Sequence, residues 1–187
     1  MVEEAGVESF SLREAARLVG VSANAAYRHF SDKSDLLTAV AQIGFIRLER
    51  YILKAIAAVV GQPTPAAAAV ERLKAAGRGY VQFAVDHPEL LRVLFGTSAF
   101  VSLEDGDAPS PDPYALLNQA LDDLVTEGVL PAERRPGAEL KAWTVVHGFA
   151  SLVMQGVGGL HRKKGPRNEA LEAILDFAVI GLCGRLG

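Results

Sequence analysis

Apolar positions recur along this chain at three- and four-residue intervals, and the breaks between recurrent stretches fall at glycine and proline. That is the period of amphipathic helices. The shortest stretches come first. Ser11 stands three residues before Glu14, the spacing of a capping box, in which the serine hydroxyl accepts from the Glu14 N–H and the glutamate reaches back. Leu12, Ala15, Ala16 and Val19 then share a face, and Gly20 follows where a chain leaving a helix often needs positive φ. Val21 is placed to fill the crevice before a second short helix, capped by Ser22 and running from Ala23 to Phe30.

The stretch 32–60 carries an apolar stripe from Leu36 and Leu37 through Ile43, Leu48 and Ile52 to Val59. It predicts one long helix or two in series, with Gly44 as the place for a kink. Thr64-Pro65 opens the next helix, which runs to about Asp86, where His87-Pro88 breaks it. A short helix over Glu89 to Phe95 follows. Residues 99–113, with Pro109, Pro111 and Pro113, predict an irregular surface loop. Asp112-Pro113 starts a helix to about Glu127, stopped by Gly128. Another extends from beyond Pro136 to about Leu160, and the last from Asn168 or Glu169 to Leu186. Val93-Leu94-Phe95 and Val179-Ile180 are too short and poorly bounded for strands. The fold class expected is all-α: an N-terminal helix-turn-helix head over 1–45 and a helical body over 46–187.

Two short helices joined by a tight turn form the unit that lays its second helix in the DNA major groove, N-terminal residues against base edges. Those residues here are Ser22, Ala23, Asn24 and Ala25. Asn24 carries the long amide suited to an adenine edge, and the alanines offer only methyl contact to thymine. Tyr27, Arg28, His29 and Lys33 suit phosphates, which position without reading sequence. The spacing alone is also that of any small three-helix bundle.

The same residues carry a resemblance. Ser11-Leu12-Arg13-Glu14-Ala15-Ala16, Gly20-Val21-Ser22, Ala26-Tyr27-Arg28-His29-Phe30, Lys33 and Leu36-Leu37 resemble the DNA-binding head of tetracycline-repressor (TetR) family regulators. The resemblance implies phosphate contacts from Tyr27, His29 and Lys33, base readout near Ser22 to Asn24, and Phe30 in the core of the head. It also implies a first helix of about a dozen residues before this unit. Only Met1 to Ala5 precede Gly6 here, with Glu3 and Glu4 acidic, so a truncated or misassigned start is expected. Trp143, His147 and Gly148 resemble a Trp-x-x-x-His-Gly signature in the C-terminal domains of one branch of the family.

Composition narrows the alternatives. Half of the 187 residues are hydrophobic and mean hydropathy is +0.20. That is rich for a monomer and points to apolar surface buried between subunits or around a ligand. Net charge is −3, so the basic residues of the head (Arg13, Arg17, Arg28, Lys33) act locally. The single cysteine, Cys183, excludes an internal disulfide. No apolar run approaches the ~18 residues of a membrane helix, and no signal peptide pattern opens the chain. No membrane partner and a cytoplasmic location are therefore expected.

His29, His87, His147 and His161 show no metal-ligand spacing. Gly156-Val157-Gly158-Gly159 with Lys163-Lys164 lacks the order of a phosphate loop, and no nucleophile elbow is present. No catalytic residues, metal or cofactor are expected, and the chain reads as no enzyme. The cluster His161 to Lys164 reads as a solvated helix C-terminus, where cations suit the dipole, with an anionic ligand or second DNA contact as the alternative.

The last two helices read as a homodimer interface. Ala150, Ser151, Gly156, Gly158 and Gly159 would allow close approach, and Leu171, Ile174, Leu175, Ala178, Leu182 and Cys183 form a stripe. Internal packing is the plainer alternative. The resemblance implies a ligand pocket in the body, with Phe83, His87, Leu91, Phe95, Tyr114, Leu117, Trp143 and His147 as its candidates and an apolar or aromatic small effector as its occupant. The function expected is a DNA-binding regulator, a repressor released from a double-stranded DNA operator by a small-molecule effector. The rival is a small-molecule-binding helical dimer that has lost DNA binding.

Overall fold

The computed structural model describes residues 11–96 and 112–184, and among them every regular element is helical. Eight α-helices follow in order: α1 Leu12–Leu18, α2 Ala23–His29, α3 Lys33–Ala57, α4 Pro65–Asp86, α5 Pro88–Gly96, α6 Pro113–Thr126, α7 Ala138–Met154 and α8 Lys164–Cys183. Single 3-10 turns sit at Ala132–Arg134 and Val157–Gly159. The expectations about residues 1–6 and most of the 99–113 loop lie outside the described residues. Those described divide into two compact units, 11–47 with 87–96 and 48–86 with 112–184.

The first unit holds α1, α2, the start of α3, and α5. Ser11 and Ser22 cap their helices as the spacing predicts, accepting from Glu14 N–H at 3.2 Å and Ala25 N–H at 3.1 Å. Gly20 takes φ +76°, a value a side chain would strain, while Val21 N–H donates to Ala16 O at 3.0 Å. Val19 is a correction. It sits at the C-cap, beyond the last helical residue, and is 66% exposed. Val21 is 47% exposed. α3 is capped by Asp32, whose Oδ1 accepts from Asp35 N–H at 2.9 Å, while the Asp35 carboxylate reaches back to Ser31 N–H at 3.0 Å. The helix continues unbroken through Gly44. A side chain there would meet Leu94 and Leu90 of α5, so the glycine serves close packing.

The second unit is built on α4. Ala69 and Leu73 of α4 pack with Leu121 and Leu124 of α6, Ala138 and Ala142 of α7, and Val179 and Leu182 of α8. A fully buried leucine or phenylalanine contributes about 1.5–3 kcal/mol. Gly79 lets α4 approach the end of α3, since a Cβ there would stand 2.7 Å from Tyr51 O and 2.8 Å from Ile52 Cα. Phe83, fully buried, meets Tyr51 edge-on with centroids 5.7 Å apart. Charge fixes α8 against α4. The Arg78 guanidinium donates to both Glu172 oxygens at 2.5 and 2.7 Å and to Glu71 at 2.6 Å, and Lys74 reaches Asp176 at 2.6 Å. Glu172 is held below the usual carboxylate range, first by its hydrogen bond from Arg78.

Two helix bounds differ from the sequence reading by four residues or more, each for a backbone reason. α7 ends at Met154, because Gly156, Gly158 and Gly159 take φ of +77°, +63° and +70° and leave the helix. α8 begins at Lys164, since Pro166 falls in its first turn, where the missing N–H costs nothing. His161 to Lys164 therefore leads into a helix N-terminus, the opposite end from the one expected. The stripe is corrected too. Leu171, Leu175, Ala178 and Leu182 are buried within the unit, whereas Phe177 (64% exposed) and Ile180 face outward.

Candidate functional site

The candidate nucleic-acid interface is α2 and the caps around it. None of its seven residues is buried, so the helix spends no side chain on the core. Ser22, Asn24, Tyr27, Arg28 and His29 are exposed, and Ala23 and Lys33 are half-buried. Ser22 and Asn24 stand at the N-terminal end and Arg28 and His29 in the last turn. One end of the helix thus carries small polar groups, and the other the basic residues Arg28 and His29. Phe30 is the half-buried C-cap. The tight turn through Gly20 joins α1 to α2.

The eight pocket candidates divide between the units. His87, Leu91 and Phe95 belong to the first; Phe83, Tyr114, Leu117, Trp143 and His147 belong to the second. Leu91 and Phe83 are fully buried, and Leu117 packs on the core cluster. Tyr114 is exposed at the start of α6, where its N–H donates to Asp112 at 2.8 Å.

Trp143 and His147, one turn apart on α7, lie with centroids 5.7 Å apart beside Tyr80, a residue the sequence reading passed over. The Tyr80 hydroxyl lies 2.7 Å from His147 Nδ1 and is also hydrogen-bonded to Trp143. An indole N–H only donates, so it takes a lone pair of the Tyr80 oxygen. The Tyr80 hydroxyl and His147 Nδ1 thus share one hydrogen bond inside the body. Burial raises the Tyr80 hydroxyl well above its ordinary value and lowers His147 from its own, so both groups stay neutral. A tyrosine on the apolar face of α4 needs a partner for its hydroxyl, and that need was the available signal.

Among the described residues no group of three His, Cys, Asp or Glu could hold a metal ion, and no helix is long and apolar enough to cross a membrane. Cys183 is half-buried, and burial raises its thiol.

Residues 73–178 match the tetracyclin repressor-like C-terminal domain, and residues 1–40 match the bacterial regulatory proteins of the tetR family. No curated protein matches the chain. Among solved structures, it is similar to a protein with unknown function from Rhodococcus sp. RHA1. Identity is 29% and the TM-score 0.76, over 97% of this chain and 89% of that one. A TetR family transcription regulator from Marinobacter aquaeolei VT8 shares the fold at 17% identity and a TM-score of 0.61, over 98% and 90% of the two chains. The TetR family transcriptional regulator PfmR from Thermus thermophilus does so at 20% and 0.56, over 97% and 93%. With a C-terminal match that spans more than half of its length and a helix-turn-helix head at its start, the chain belongs to the TetR family and is a DNA-binding transcriptional regulator.

Proposed function

We propose that this regulator is a repressor, released from its operator when a small molecule binds the body. The observation that carries the reading is α2: a capped helix with no buried residue, polar at its start and cationic at its end. On this reading Ser22, Ala23 and Asn24 face base edges, while Tyr27, Arg28, His29 and Lys33 hold phosphates. The working division is a DNA-binding head over 1–45 and an effector-binding and dimerisation body over 46–187. A homodimer through α7 and α8 is supported by their outward apolar residues Leu140, Leu152, Phe177 and Ile180. It is also supported by the shallow apolar groove between Lys141, Val145, Phe177 and Gly181. A two-fold partner supplies the second head that two half-sites require. The Trp143, His147 and Gly148 signature favours the branch of the family named by it, and a cytoplasmic location follows from acting on DNA.

The effector we favour is apolar or aromatic with a hydrogen-bonding group, since Trp143 offers an aromatic face and Tyr80 and His147 a polar handle. It releases DNA only by binding one head spacing more tightly than another. The test is a salt titration of binding to the DNA flanking the protein's own gene, repeated with a panel of small molecules. Salt-sensitive binding, weakened at least tenfold by an aromatic compound, is the expected result. Binding that is strengthened by every active compound would overturn the repressor reading, and a panel in which only highly charged compounds act would overturn the effector class.

A further inference from the structure

Arg167 heads the stripe of α8 that continues through Leu171, Leu175, Ala178 and Leu182, and it is 7% exposed. Among the described residues no carbonyl, carboxylate or hydroxyl accepts from its guanidinium, although Arg72, Arg78 and Arg135 are each held by carboxylates. A guanidinium removed from water without an acceptor is strongly unfavourable. Side chains of a helix lean toward its N-terminus, and Arg167 stands in the first turns of α8. That start carries no side-chain cap. Lys163 stands at the N-cap, and the first turn holds no acid. The N–H groups of Lys164 and Gly165 have no acceptor among the described residues, and exposed Arg162, Lys163 and Lys164 crowd the same positive helix end.

We propose that the first turn of α8 binds the oxyanion group of a small molecule, a carboxylate or a phosphate, between the Arg167 guanidinium and the N–H groups of Lys164 and Gly165. The planar fork of Arg167 matches two oxygens of either group, and the helix end supplies aligned donors. A phosphate of duplex DNA is the wrong occupant, because a buried guanidinium admits only a group small enough to follow it inward. The site uses neither Trp143 nor His147 and stands independently of the effector reading.

The experiment uses the full chain, melted in sodium chloride, sodium phosphate and sodium acetate at equal ionic strength and pH. One or both oxyanions should raise Tm by about 2 °C or more over chloride. Phosphate alone would name a phosphate group, acetate alone a carboxylate. Arg167→Met should abolish the rise and, in chloride, melt no lower than the wild type, because an uncompensated charge has been removed. The exposed pair Lys163→Ala with Lys164→Ala should keep the fold and weaken anion affinity several-fold by calorimetry. The proposal is overturned by three outcomes: no rise with either anion, an equal rise in Arg167→Met, which would be a solvent effect, or a loss of several degrees by Arg167→Met in chloride, which would reveal a structural partner.

Discussion

Two helices of this molecule put their side chains to opposite uses. α2 in the head buries none of its residues, while α4 in the body buries ten, from Ala69 to Ala84. The head is kept in shape by backbone chemistry: two capping serines, the positive φ of Gly20 and the Asp32–Asp35 cap. The side chains of α2 are left for a partner. The body is kept in shape by close packing and by ion pairs such as Arg78–Glu172, and it spends its side chains on itself. A regulator needs both kinds of construction. Recognition requires exposed groups in fixed places, and a body that answers a ligand must have a packed arrangement to shift. The contrast implies that substitutions in the two regions act on different readouts, DNA affinity for the head and melting temperature for the body.

The largest effect belongs to the body. Phe83→Ala removes a fully buried ring set against Tyr51, and such truncations cost about 3–5 kcal/mol. Tm should fall by roughly 6–20 °C. A calorimetric melt shifted by less than about 2 °C would mean that Phe83 lines open space, and the contrast between the regions would lose its firmest member.

In the head the readout changes. Asn24→Ala should weaken operator binding by about 1–3 kcal/mol and relax the preference at one base position. Arg28→Ala should weaken binding evenly across sequences and lower the salt slope by about one. Both residues are exposed, so melts should stay within about 0.5 kcal/mol of the wild type. Fluorescence anisotropy over a salt series, run beside the melts, separates the two effects. A head variant that lost several degrees of Tm would show that α2 is packed more deeply than its exposure indicates. Ser22→Ala is the milder head change. It removes the cap on Ala25 N–H, worth about 1 kcal/mol to α2, and should lower DNA affinity a few-fold while the body melts unchanged.

Much of this contrast was legible in the sequence. Ser11, Gly20 and Ser22 mark the head because caps and positive-φ turns demand particular residue types, and Thr64-Pro65 and His87-Pro88 bound α4 for the same reason. Periodicity was less informative. It identified Leu171, Leu175, Ala178 and Leu182 as an apolar face but could not say against what they pack, and they turned out to face their own chain. Gly156, Gly158 and Gly159 read as packing glycines, whereas their positive φ ends α7 early. The sequence predicts a start of the last helix at Asn168 or Glu169, whereas it begins at Lys164 with Pro166 in its first turn, where proline is tolerated. Tyr80 was missed because its role depends on Trp143 and His147, which stand far along the chain, beyond the reach of any local pattern. Arg167 is distinguished by its burial, which no local pattern announces.

The smallest predicted effect tests the one polar cluster inside the body against the packed surroundings that define it. His147 is shifted downward by burial, so the unfolded chain takes up a proton at a higher pH than the folded one. The stability this contributes is fully present above the ordinary histidine value of about 6.5 and is lost as pH falls through the lower folded value. Protonation would also leave His147 with an N–H on both ring nitrogens, so that Nδ1 could only donate to the Tyr80 oxygen. Melts taken from about pH 7.5 to about 5.5 should show a decline in Tm that His147→Gln flattens. The carboxylate Glu172 is shifted down from 4.5, so its own loss lies below that value and does not overlap. Tyr80→Phe supplies the control. It removes the hydroxyl but not the titrating ring, so it should lower Tm at every pH and leave the slope over that range largely in place. A slope that survived in His147→Gln would assign the pH dependence to another group and leave the Tyr80–His147–Trp143 cluster as rigid packing.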